Sequence, residues 1–208
     1  PAITMPWPEA EALGFERVLA AADLGYRGQP FNWVTMPDQF TLAALDRLLR
    51  SPDRARPLFA QVSLISSHAP WVPVPSLLPW AQIGDGRVFD EVARSGDAPE
   101  VVWRDRERVR EQYRLAIDYA LQVVMDYARL HAGDPPLMIV LGAHQAAGVV
   151  ALDDSPDVPI HVIGPPELVD RVADWGWAPG LIPADGAEAF PMDQFRALFL
   201  RAYSSTAP

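Results

Sequence analysis

The chain has 208 residues, 50% of them hydrophobic and 21% charged, so it is long enough for a substantial core and too apolar to be disordered. Its formal charge of −10 argues against nucleic acid or an anionic membrane surface as the main partner. The absence of cysteine excludes disulfides, a thiol nucleophile and cysteine metal sites, and it leaves the cellular compartment open.

The first third of the chain alternates short apolar runs with a periodic segment. Residues 15–19 predict a short strand, and residues 20–24 predict a helical turn that stops at Gly25. The sequence Thr-Met-Pro-Asp at 35–38 has the form of a capping box, followed by leucines at helical spacing. It predicts a helix over 36–50. Capping of that helix would by itself account for Asp38.

The next segment predicts a buried strand over 58–65 and a loop over 66–71, where Pro70 enforces the end of the strand. Residues 71–96 are rich in proline, tryptophan and glycine, which predicts a packed irregular excursion. The uncharged stretch 57–84 contains four prolines between 70 and 79, so it is not a membrane-spanning helix.

The remaining elements predict the fold class. They are a long amphipathic helix over 103–130, strands over 137–142 and 158–164, helices over 166–174 and 191–203, and a flexible tail over 204–208. Strands alternating with helices are typical of α/β proteins. We therefore expect an α/β fold with a largely parallel sheet and helices on both faces.

Two histidines follow predicted strands. His68 follows the strand over 58–65, and His144 follows the strand over 137–142. Because parallel strands end at the same edge of a sheet, the two side chains are expected to converge on one ligand. A histidine in a loop is also a common surface residue, so a generic α/β domain with coincidental histidines stays open as an alternative.

The order of several motifs resembles the sulfatase-like part of the alkaline phosphatase superfamily. These motifs are Ser-Ser-His-Ala-Pro-Trp at 66–71, Ala-Ile-Asp-Tyr at 116–119, Gly-Ala-His at 142–144 and Val-Pro-Ile at 158–160. The likeness is greatest to the membrane-anchored phosphoglycerol and phosphoethanolamine transferases. It covers about 14–163, and it implies that residues 1–208 form the carboxyl-terminal portion of a sulfatase-like catalytic domain.

The resemblance implies a metal-dependent hydrolase or transferase that acts on a phosphate or sulfate ester. A divalent cation, Mn²⁺, Mg²⁺, Ca²⁺ or Zn²⁺, would polarise the ester. By position in the family's motifs, His68 and Asp38 would contact the substrate and His144 would bind the metal. The resemblance also implies a phosphorylated or sulfated small molecule or lipid head group as partner, and a place on the outer face of the cytoplasmic membrane in the cell envelope.

Two departures from the family pattern bear on activity. The family's early strand, with its carboxylate ligand and its nucleophile, has no counterpart in these residues, so the missing amino-terminal portion of the same domain is an expected partner. Ala143 stands where the family has a metal-binding aspartate, and a methyl group cannot coordinate a metal. The chain is therefore expected to be inactive by itself. A degenerate, metal-free ligand-binding or regulatory domain is the alternative function.

Other common sites are not indicated. The sequence contains no G-x-S-x-G elbow around Ser66 and Ser67, no dinucleotide-binding or P-loop glycine motif, and no H-E-x-x-H motif. A serine hydrolase triad, a nucleotide site and a zincin site are therefore not expected.

Overall fold

The computed structural model describes residues 12–50, 56–151, 155–182 and 186–204. The chain divides into two compact units, Pro1–Tyr127 and Ala128–Pro208. The helices and strands are α1 Asp38–Leu49, α2 Asp90–Ala93, α3 Pro99–Val102, α4 Arg106–Leu130, β1 Met138–Leu141, β2 Ile160–Ile163, α5 Pro166–Val169 and α6 Met192–Tyr203. Among the described residues, no helix combines the length and the apolar character needed to span a bilayer.

The expectation of a largely parallel sheet is wrong. In the described residues the sheet has two strands, and β1 pairs with β2 in antiparallel register, Met138 opposite Ile163 and Leu141 opposite Ile160. The Gly142 amide continues the ladder by donating to the Pro159 carbonyl at 3.1 Å. A parallel pair needs a long crossover, usually a helix, and the described residues between β1 and β2 form turns and loop.

The strands predicted over 15–19 and 58–65 are also wrong. Neither segment contains a strand, although both line one groove beside α1. Apolar and β-branched residues favour an extended backbone, but a strand exists only where a second backbone completes its hydrogen bonds. For residues 58–64, the described part of the chain supplies no such partner.

The helix predictions hold better. α1 and α6 confirm the helices expected over 36–50 and 191–203, and α4 confirms the long amphipathic helix. The region 166–174 is helical as α5 followed by a 3-10 helix, Asp170–Trp175. The turn before Gly25 is a 3-10 helix, and Gly25 ends it with φ of +73°, a conformation that favours glycine.

The capping box expected at 35–38 is not formed. α1 begins after Pro37 without any side-chain cap, and Asp38 is its first residue. The Asp38 side chain instead accepts the amides of Ile65 and Ser66. The role that the sequence pattern assigned to this carboxylate is therefore wrong.

The core of the first unit surrounds Phe40, which is fully buried. The Tyr26 ring meets Phe40 edge-on with centroids 4.9 Å apart, and the Arg47 guanidinium lies 5.5 Å from the Phe40 centroid. The other buried members of this cluster are Leu24, Phe31, Val34, Met36, Ala44, Ile83 and Phe89. The buried face of α1 therefore forms the centre of this core.

Hydrogen bonds of Tyr127 and Asp126 join the second half of α4 to the rest of the first unit. The Tyr127 hydroxyl donates to the Asp46 carboxylate of α1 at 2.6 Å. The Trp80 indole donates to the Asp126 carboxylate at 2.8 Å. Burial and the bond to Asp46 both raise the pKa of Tyr127, so its phenol stays a donor over the physiological range.

The second unit is held by aromatic contacts. Trp175 meets both Trp177 and Phe195 edge-on. The Phe195 ring in turn stacks on the Phe199 ring, and both belong to α6. The Tyr203 hydroxyl at the end of α6 donates to the Leu168 carbonyl of α5 at 2.9 Å. Trp175 therefore packs against α6.

Phe40→Ala is expected to lower the free energy of unfolding by about 3–5 kcal/mol, because it removes a fully buried ring and leaves a cavity. Trp33→Ala is the control, since Trp33 is 85% exposed and its removal is expected to change stability by less than about 1 kcal/mol. Urea denaturation followed by circular dichroism measures both. Equal losses in the two variants would contradict this description of the core.

Candidate functional site

The carboxylate of Asp38 joins α1 to the loop that carries His68. Its Oδ1 accepts the Ile65 amide at 2.7 Å and the Ser66 amide at 2.9 Å. In return, the Ser66 hydroxyl oxygen accepts the Asp38 amide at 2.9 Å. These reciprocal bonds are buried, so they fix the start of the loop against the first turn of α1.

Burial strongly affects the charge on Asp38, which has no exposed surface. Desolvation is the largest influence and raises its pKa above the ordinary value of 3.8, while the hydrogen bonds from Ser66 and Ile65 oppose that rise. The second oxygen, Oδ2, has no hydrogen-bond partner among the described residues. A protonated Oδ2 carries no charge to desolvate, which is consistent with the direction of the shift.

Trp71 fixes the far end of the loop. Its ring stacks on Trp103 with centroids 5.5 Å apart and meets Tyr113 edge-on at 5.2 Å. Its indole donates to the Ser67 carbonyl at 2.8 Å, and Asn32 donates to the neighbouring Val72 carbonyl. Trp71 has φ of +61°, which is unfavourable for a tryptophan and is maintained by these contacts.

His68 lies between these two anchors, at the apex of a turn in which its amide donates to the Ile65 carbonyl at 2.9 Å. The side chain is exposed, and its Nδ1 lies 2.8 Å from the Ala69 carbonyl oxygen. Because a carbonyl only accepts, Nδ1 carries the proton in this arrangement. Nε2 is then an acceptor in the neutral ring and a donor only in the imidazolium.

A small pocket opens beside His68. Its lining residues are Phe31, Val34, Pro37, Ser66, His68, Pro70, Trp71, Val72, Pro73 and Pro75. His68 is the ionisable member of this lining, and most of the others are apolar or aromatic. The lining therefore combines one ionisable side chain with apolar and aromatic groups.

Asp38 and His68, which the sequence analysis named as substrate-binding residues, thus belong to one local structure. Asp38 holds the backbone from which His68 projects, with Ser66 between them. Asp38 is fully buried, and its side chain accepts hydrogen bonds from backbone atoms of the loop. Direct contact of either side chain with a substrate stays a prediction.

The predicted metal position lies in the second unit. His144 is exposed, follows β1 after Gly142 and Ala143, and has Nδ1 2.7 Å from the Gln145 carbonyl oxygen. The expected convergence with His68 depended on a parallel sheet edge, and the described strands are antiparallel. The two histidines share a local hydrogen-bond pattern and lie in different units.

The described residues around His144 do not fit a divalent cation. The Ala143 side chain offers no ligand atom, and the Gln145 amide nitrogen donates to the Asp157 carbonyl. Within the described ranges, no three histidine, aspartate or glutamate side chains are grouped as a metal site would require. A single exposed imidazole does not supply the oxygen ligands that hard cations prefer.

Ser66 and Trp103 are site residues that the sequence analysis did not single out for these roles. Ser66 belongs to the motif at 66–71. Its bond to the Asp38 amide joins residues 28 positions apart, and no local sequence pattern predicts such a bond. Trp103 stacks on Trp71, which lies 32 positions earlier in the sequence. Such long-range pairs are set by packing and not by sequence spacing.

Comparisons of the chain with protein-family profiles, with curated proteins and with solved structures found no match. The candidate site therefore rests on its own residues and geometry.

Asp38→Ala is expected to lower the free energy of unfolding by about 2–5 kcal/mol, because the amides of Ile65 and Ser66 lose their buried acceptor. Asp38→Asn retains Oδ1 as an acceptor and is expected to be at least as stable as the natural protein at neutral pH. Urea denaturation of the three proteins tests this, and a loss in Asp38→Asn as large as that in Asp38→Ala would contradict the assignment.

The raised pKa of Asp38 also predicts a pH dependence. Above pH 3.8 the Asp38 carboxyl loses its proton in the unfolded chain but keeps it in the folded protein, because its folded pKa is higher. The free energy of unfolding therefore falls as pH rises from 3.8 to the folded pKa. Asp38→Asn cannot titrate. The stability of Asp38→Asn relative to the natural protein is therefore expected to increase with pH in urea denaturation series. A relative stability that decreases with pH would show that the pKa is lowered instead.

Proposed function

We propose that this chain binds a phosphate or sulfate ester at the His68 pocket, as the recognition part of a phosphoester or sulfoester hydrolase or transferase. The observation that carries the proposal is the anchored loop, in which Asp38 and Trp71 fix both ends and leave His68 exposed beside a pocket. The motif order of the sequence supports the ester class. A cell-envelope location and a lipid head group belong to the same proposal.

The His68 imidazolium performs the recognition. With Nδ1 held by the Ala69 carbonyl, Nε2–H is directed away from the loop backbone and donates to an anionic ester oxygen. The apolar lining, including Pro70 and Val72, accommodates the carbon portion of the ligand. The described residues supply no nucleophile to this step, so the chain by itself is proposed to bind the ester and not to cleave it.

A second candidate function, a metal-free ligand-binding or regulatory domain, is favoured by one observation. Ala143 and the surroundings of His144 do not fit a metal, although a pocket remains at His68. The two candidates differ in what Ala143→Asp does. If the chain is part of a metal-dependent enzyme, restoring the carboxylate in a longer protein that includes a nucleophile is expected to produce Mn²⁺-dependent hydrolysis of a phosphodiester. Metal-free binding by that longer protein without turnover favours the regulatory domain.

His68→Ala is expected to weaken binding of phenyl phosphate or phenyl sulfate about 10- to 100-fold, because a hydrogen bond to a charged group contributes about 1.5–3 kcal/mol. Isothermal titration calorimetry measures the affinity of both proteins.

His131→Ala is the matched control, because His131 lies outside the pocket at the end of α4. It is expected to leave the affinity unchanged. Benzyl alcohol, which has the ring without the anion, is expected not to bind measurably. Equal affinities of the natural protein and His68→Ala for phenyl phosphate would overturn the proposed function.

A further inference from the structure

We propose that residues 58–64, which are not a strand in the single chain, become one by pairing with the same segment of a second copy of this chain. The pairing is antiparallel about a twofold axis at Gln61, and it produces a dimer in solution. This proposal does not depend on ligand binding at His68.

The backbone of residues 58–64 has unmet hydrogen-bonding capacity. Within the described part of the chain, no backbone hydrogen bond joins this segment to another residue. The bonds begin again at the Ile65 amide, which donates to Asp38. An extended backbone without partners is a template for another strand, and main-chain bonds of that kind specify a strand as the occupant.

The segment borders an apolar groove that a paired strand would cover. The lining of the groove includes residues 59–63, four residues of the 15–19 segment, of which Arg17 is charged, and Ala44, Leu45 and Leu49 of α1. Phe59 remains 77% exposed although its ring stacks on Phe15. A strand is stable when an apolar face packs on a helix, and this groove supplies that helix.

The composition of the segment favours self-pairing. The sequence contains no aspartate, glutamate, lysine or arginine between Arg56 and Asp85, so the segment 58–64 lacks the charges with which edge strands usually prevent association. Pairing stops at 64, because the next amide is already bonded to Asp38. The midpoint of 58–64 is Gln61, which places Gln61 opposite its own copy and Phe59 opposite Ser63.

Analytical ultracentrifugation over a range of concentrations tests the proposal. The natural protein is expected to sediment as monomer and dimer in concentration-dependent equilibrium. Gln61→Pro is expected to weaken the dimer at least tenfold, because proline removes an amide that has no partner in the monomer but bonds the second copy. Thermal unfolding monitors its fold, and Gln61→Thr, which keeps a strand-forming backbone, is expected to retain the dimer.

A charge exchange at the twofold axis tests the register and keeps the proposal testable if the proline variant does not fold. Gln61→Lys and Gln61→Glu are each expected to be monomeric, because like charges lie opposite each other, and an equimolar mixture is expected to form a heterodimer. A monomer at all concentrations, assembly beyond the dimer, or a dimer that resists all three variants would overturn the proposal.

Discussion

The carboxylate of Asp38 is the constraint on which the candidate site depends. A residue at the start of α1 would ordinarily serve its own helix, but this one accepts two amides from a loop 27 and 28 residues later. An aspartate without solvent exposure is costly unless it is neutral or fully bonded. Its raised pKa and its bonds to Ile65 and Ser66 show how that cost is limited. The position of His68 follows from this connection, because it is the second residue after Ser66.

Helices were predictable because their signal is local. The periodic apolar residues of α1, α4 and α6 and the glycine after the first 3-10 helix determine these elements over distances of a few residues. The strands were predictable only as apolar runs. Their pairing was not, because direction depends on how the chain connects them, and a loop between β1 and β2 permits the antiparallel arrangement.

The candidate site was predicted in part. The sequence around His68 predicts a loop over 66–71, and in the structure residues of that loop line a pocket. The sequence pattern gave Asp38 a capping role that the structure replaces with the bonds to Ser66. The stacking of Trp71 on Trp103 had no sequence signal, because it joins two irregular or short elements by packing alone.

Amide hydrogen exchange at Ile65 and Ser66 tests the central claim most directly, since these two protons are donated to Asp38. In the natural protein both amides are predicted to exchange slowly, and in Asp38→Ala both are predicted to exchange rapidly while the interior amides of α1 stay protected. Rapid exchange of both amides in the natural protein would contradict the claim that Asp38 holds the His68 loop.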